Sequence, residues 1–210
     1  MKPRRLFGAL AGLAALVLAG CAPSLRPQAS GLDQVGDDEV VAVGRVYLNP
    51  PLAKGQQKVQ WGIGMDYFRH PYLALGDAPW GDRELPQGSD LKPLNGSVQT
   101  DWNTWFFARM PRKDFWVQML IYFTDVTDSL DCASCHSANF NWQRAYLPVE
   151  QRVTVQPSDK VIFIGTYVFY RDEFNHARGV RVHGDLKDAA ALIQARFGAA
   201  PVRVALPATP

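Results

Sequence analysis

The chain has three cysteines and four histidines, and three of these seven residues fall within five positions, Cys132-Ala133-Ser134-Cys135-His136. Two thiols and an imidazole this close have a short menu of chemistry. They can close a disulfide, but a four-residue loop restricts the unfolded chain by only about 2 kcal/mol and its geometry is tight. They can ligate a metal ion through Cys132, Cys135 and His136, with Asp128 or Asp131 completing the set. Thiolate redox chemistry is disfavoured. Asp125, Asp128 and Asp131 precede the pair, and their negative charge opposes ionisation of a thiol.

The spacing C-x-x-C-H also resembles the haem-attachment motif of c-type cytochromes. That resemblance implies thioether bonds from Cys132 and Cys135 to one covalent haem c, with His136 as the proximal iron ligand. It implies electron transfer with a redox partner rather than enzymatic turnover. No methionine follows His136, so the usual downstream methionine ligand is missing. Strand counting supplies another candidate. If Phe115–Val126 climbs to one end of an antiparallel fold, the loop from Thr127 to Leu147 lies at that end, and so does the turn Asp172–Ala177. His176 is therefore the expected second axial ligand. Met110 and His183 are expected at the opposite end, Met119 in mid-strand, and His70 has no place in this count. The alternative, from a different class, is a haem-free structural or binding component of an envelope assembly.

Other motifs carry less. Asp125, Asp128 and Asp131 lack the glycine and terminal glutamate of a calcium loop and read as a solvated turn. Asp172 and Glu173 are adjacent carboxylates at a strand end and read as turn residues. There is no G-x-S-x-G, no H-E-x-x-H and no phosphate-binding glycine loop.

The elements that must position these groups are mostly strands. Val40–Leu48 is β-branched and stops at Asn49-Pro50-Pro51; Val59–Ile63 is a second short strand. Residues 69 to 97 hold four prolines and predict a long irregular excursion. Trp102–Arg109 and Phe115–Val126 predict a hairpin, with Phe115, Val117, Met119, Ile121 and Phe123 on one unbroken apolar face. Val153–Gln156 is a short strand. Val161–Tyr170 is apolar on both faces and therefore central. Gly179–His183 and Val202–Leu206 complete the set. Between them Asp185 caps a helix whose stripe is Ala189, Leu192, Ile193 and Phe197, ended by Gly198. The sum is a mainly β chain: an antiparallel β-sandwich of seven or eight strands with one C-terminal helix.

The N-terminus reads separately. Lys2, Arg4 and Arg5 precede the uncharged apolar run Leu6–Ala19, followed by Leu18-Ala19-Gly20-Cys21. This resembles the lipobox of bacterial lipoproteins, which implies a signal peptide over 1–20 and lipidation of Cys21. Ala22 after the cysteine implies sorting to the outer membrane, so the membrane is a partner through the lipid. Residues 21–39, with Pro23, Pro27, Gly31 and Gly36, read as a flexible tether, and 40–206 as the folded domain. Composition agrees with a folded chain: 210 residues, 47% hydrophobic and 20% charged. Without Lys2, Arg4 and Arg5, nineteen cations face twenty anions, which gives no support to nucleic-acid binding.

Overall fold

The computed structural model describes residues 24–52, 70–85, 94–125, 142–173 and 176–206. They form nine strands and one α-helix. The strands are β1 (Glu39–Asn49), β2 (Tyr72–Gly76), β3 (Ser97–Gln99), β4 (Trp105–Pro111), β5 (Phe115–Asp125), β6 (Trp142–Val153), β7 (Val161–Arg171), β8 (Ala177–His183) and β9 (Val202–Val204). The helix, α1, is Lys187–Phe197. Five strands make one sheet in the order β4-β1-β7-β8, with β9 also on β7; the other sheet runs β3-β2-β5-β6. This is the β-sandwich that the patterning predicts. Most ladders are antiparallel, but β1–β7 and β7–β9 are parallel. The second of these is reached through α1, the kind of long crossover a parallel neighbour requires. We call the end reached by the last residues of β1, β5 and β7 the upper end.

Three layers of apolar side chains hold the sheets. Val40, Ala42, Phe106, Leu73, Val98, Leu120 and Ile162 belong to the core between them. Ala189, Ile193 and Phe197 of α1 cover Val41, Val43, Phe107, Val161 and Phe163 on the outer face of the five-stranded sheet. Leu192, expected in that stripe, is 47% exposed instead. The N-cap is Leu186 rather than Asp185, which sits one residue earlier and accepts a hydrogen bond from the Lys187 N–H at 2.9 Å; Gly198 ends the helix at φ 65°. β7 is central as expected, paired on both sides and buried from Val161 to Tyr167.

Bulges change which face a strand presents. The β5–β6 register shifts between Val117 and Met119, where Glu150 takes φ 54°. As a result Phe115, Val117, Leu120 and Tyr122 face the inter-sheet core, while Met119, Ile121 and Phe123 point the other way with Tyr72 and Ala74. The unbroken face read from alternation is thus split in two. β7 behaves likewise at Gly165, whose φ of 116° suits only glycine. Val161 and Phe163 face α1; Tyr167 and Phe169 join Ile162 and Ile164 in the core. A buried polar set fills the gap. Gln151 donates to the Ala205 carbonyl at 3.1 Å, and the Tyr167 hydroxyl donates toward Gln151 Oε1 at 2.8 Å.

Four further expectations change. Residues 102–109 and 115–126 do not make a hairpin: β4 pairs with β1, whereas β5 pairs with β2 and β6 in the other sheet. The link between β4 and β5 is held across the sandwich by Arg112, which donates to the carbonyls of Asp37 (3.0 Å), Glu39 (2.7 Å), Pro157 (3.0 Å) and Asp159. β2 lies inside the stretch expected to be irregular. β6 ends at Val153, where a strand was expected to begin. The expected strand Val59–Ile63 lies outside the described residues.

The fourth change concerns the tether. From Ser24 onward the segment is laid along the open side of the sandwich between β3 and β4. Gly96 N–H donates to the Ser24 carbonyl (2.7 Å), and Arg26 N–H to Ser97 (2.8 Å). Farther on, Arg109 N–H donates to Pro27 (2.9 Å) and Ala29 N–H to Phe107 (2.8 Å). Ala29 is 1% exposed. Residues 24–29 are a strap, not a spacer.

Candidate functional site

Cys21, Cys132, Cys135 and His136 lie outside the described residues, as do Asp128 and Asp131. The strand ends that carry the motif are described. The β5–β6 ladder closes on the pair Asp125↔Trp142 at the upper end.

The topology collects several polar groups at this same end. Asn49, the last residue of β1, pairs with Tyr170 of β7; Tyr72, the first of β2, pairs with Ile121 of β5. Arg171 donates through Nε and NH2 to the carbonyls of Pro50 and Pro51, both at 3.0 Å, and so fastens β7 to the exit of β1. Trp102 meets Tyr122 edge to face, with ring centroids 5.6 Å apart. Burial pushes the Tyr122 hydroxyl up to about 12; Arg171 pulls it down and Asp172 raises it further.

Two histidines stand here, each against a carboxylate. His176 Nδ1 is 3.1 Å from Asp172 Oδ2, and its backbone N–H donates to Asp172 Oδ1 at 2.8 Å. Arg178 meets the same carboxylate at 2.9 Å. Desolvation pushes the Asp172 carboxyl up, but the bonds from His176 and the Arg178 charge outweigh it and hold it below the usual range. His70, which strand counting leaves unplaced, sits just before β2 with Nδ1 2.6 Å from Asp101 Oδ1. Its side chain is 25% exposed against 69% for His176. Thirty-one positions separate His70 from Asp101, so no sequence spacing announces the pair; the sandwich makes it. An imidazole whose Nδ1 is held by a carboxylate is oriented to ligate through Nε2, the usual arrangement at metal centres. Both histidines fit the chemistry of an axial ligand.

The other candidates fall elsewhere. His183 pairs with Thr166 in the middle of β7, not at the lower end. Met110 is opposite Val40 and 1% exposed; Met119 is 2% exposed. Among the described residues no group of three or more His, Cys, Asp and Glu could hold a metal ion by itself. A feature that sequence reading missed is a groove of about 470 Å³ beside the start of α1, lined by Arg45, Tyr47, Thr166, Val168, His183 and Asp188. The Arg45 guanidinium lies 4.2 Å from the Trp105 ring centre and 3.4 Å from Asp188.

Comparison with known proteins brings no match to a family model, a curated protein or a solved structure. Among the described residues no helix is long and apolar enough to cross a membrane.

Proposed function

We propose that the chain is a lipid-anchored protein of the cell envelope that carries one covalent c-type haem and acts in electron transfer. The observation that carries this reading is the sequence Cys132-Ala133-Ser134-Cys135-His136. Cys132 and Cys135 would hold the haem through thioether bonds and His136 would ligate the iron, which supplies a reversible one-electron couple. Support comes from the upper end of the sandwich. The strands that carry the motif open there, and His176 and His70 stand there with their Nδ1 atoms on carboxylates. His176 is the second ligand we favour, giving a bis-histidine haem of lower potential than a His/Met one. Cys21 would bear the lipid, with the outer membrane as destination.

The test is colour and mass. Protein purified from a strain able to mature c-type cytochromes should show c-type absorption bands when reduced, and a mass raised by one haem. Changing Cys132 and Cys135 to Ser should remove both. A colourless protein of unshifted mass would sink the haem reading. It would leave a haem-free binding protein of the envelope, for which the groove beside α1 is the feature to examine.

A further inference from the structure

The strap fixes how the domain stands on a membrane. If Cys21 is lipidated, as proposed above, Cys21 and Ser24 are three residues apart, which spans at most about 11 Å. The headgroup layer of a leaflet is itself about 5–7 Å deep. A spacer that ran to residue 39 would have left the domain free to turn. The strap removes that freedom, because Ser24 is already tied to the domain: its carbonyl accepts from Gly96, and its N–H donates to Asn95 Oδ1 at 3.1 Å. Behind it, Leu25 packs on the outer face of the four-stranded sheet and Ala29 is buried.

The attachment point lies low on the sandwich. Gly96 directly precedes β3, whose Ser97 pairs with Ala74; the neighbouring Leu75 pairs with Val117 near the start of β5. From that point the strap climbs, Gln28 reaching the Gln99 carbonyl at 2.9 Å. From the level of Val117 to Asp125, β5 runs about 27 Å farther toward the upper end.

We infer that the domain rests on the lipid headgroups by its lower β3 side, with Ser24, Asn95 and Asp77 facing the bilayer, and that the upper end, with His70 and His176, is turned to the aqueous phase. A redox partner of the upper end is then a protein met in solution or projecting from another surface, not one within the same leaflet.

The experiment uses the full lipidated chain bound to phosphatidylethanolamine–phosphatidylglycerol vesicles. A photo-crosslinking residue is placed by Asp77→p-benzoylphenylalanine or by Glu173→p-benzoylphenylalanine, both exposed positions. After flotation and illumination, lipid adducts are expected at position 77 at several times the yield at position 173. A Gly-Ser spacer of about ten residues between Ala22 and Pro23 should abolish that preference. Vesicle-bound protein with equal yields, or with adducts favouring position 173, overturns the inference while the anchor stands. A preference that survives the spacer overturns it too. Protein left in solution after flotation refutes the anchor itself, and the inference with it.

Discussion

The two ends of the sandwich are built from different chemistry. At the lower end, arginines meet backbone carbonyls and carboxylates in dense array: Arg112 clamps the entries of β1 and β7, Arg109 meets Glu39 at 2.7 Å, Arg152 meets Asp114 at 2.9 Å, and Arg203 meets Asp159 at 2.6 Å. At the upper end arginines also hold the backbone, Arg171 on the carbonyls of Pro50 and Pro51 and Arg178 on Asp172, but beside them stand two histidine–carboxylate pairs and a buried tyrosine. Guanidinium forks stay charged across the working pH range and give up little freedom per bond, so they suit a fixed joint. Imidazoles ligate metals through a ring nitrogen, so they suit the chemistry proposed above. The difference teaches a partial separation: both ends have an arginine joint, Arg112 below and Arg171 above, and only the upper end adds histidine–carboxylate pairs beside it.

That separation can be broken at the lower end first. Asp159 keeps only 4% of its side chain exposed and relies on Arg203. Arg203→Ala would remove its guanidinium partner, leaving the buried carboxylate with the Gln156 N–H, and should cost about 3 kcal/mol. Denaturant unfolding of purified protein reads this directly, and a loss below 1 kcal/mol would show that the joint is not where stability resides.

A smaller effect should appear with pH. Burial alone would raise the Asp159 carboxyl, but hydrogen bonds from Arg203 and from the Gln156 N–H overcome this and hold it below the usual range. A carboxyl lowered on folding contributes stability that is complete above its unfolded value, about 4, and lost as pH falls through the lower folded value. Asp114 and Glu39 are lowered as well, by backbone N–H groups of Val155 and Gly36 and by their arginine partners. Melting temperature should therefore drop steeply below about pH 4. Asp159→Asn should start lower at neutral pH and fall less on acidification; parallel curves for the two proteins would refute the assignment.

The smallest effect on stability belongs to the upper end. His176 is 69% exposed, and His176→Ala should shift unfolding by no more than about 0.5 kcal/mol. If the chain carries the haem proposed above, the same change should alter the ferric spectrum and the potential while the haem stays attached. If the spectrum and potential are unchanged, His176 is not the ligand and His70 becomes the better choice. A large loss of stability would instead break the contrast between the two ends.

Parts of this arrangement were legible in the sequence and parts were not, for physical reasons. β1, β7 and α1 announce themselves because burial on both faces, or on one helical stripe, writes a dense apolar pattern. β2 is five residues long in a proline-rich stretch, and β6 carries Arg144, Pro148 and Glu150, which interrupt any simple alternation. The bulges at Val117–Met119 and Gly165 were invisible because alternation assumes that no residue is added to a strand. Of the candidate site, the motif was plain, the turn of His176 was reached by counting strands, and the His70–Asp101 pair needed the fold. The strap is not legible in the sequence because its ladder bonds are made by backbone N–H and C=O groups, which any sequence can supply, and its side-chain bonds involving Gln28 and Asn95 reach about seventy residues along the chain.

The strap has one more consequence. β3 and β4 are the outermost strands of their sheets, and an outermost strand offers a row of hydrogen-bonding groups that a second molecule can extend. Residues 24–29 occupy part of both rows through Ser97, Gly96, Phe107 and Arg109. If the chain is anchored as proposed, copies would meet in two dimensions and in similar orientation, where such rows would invite strand-by-strand association. The strap thus leaves less of the β3 and β4 rows open to such pairing, while β6 and β8, the other end strands among the described residues, are not paired with it.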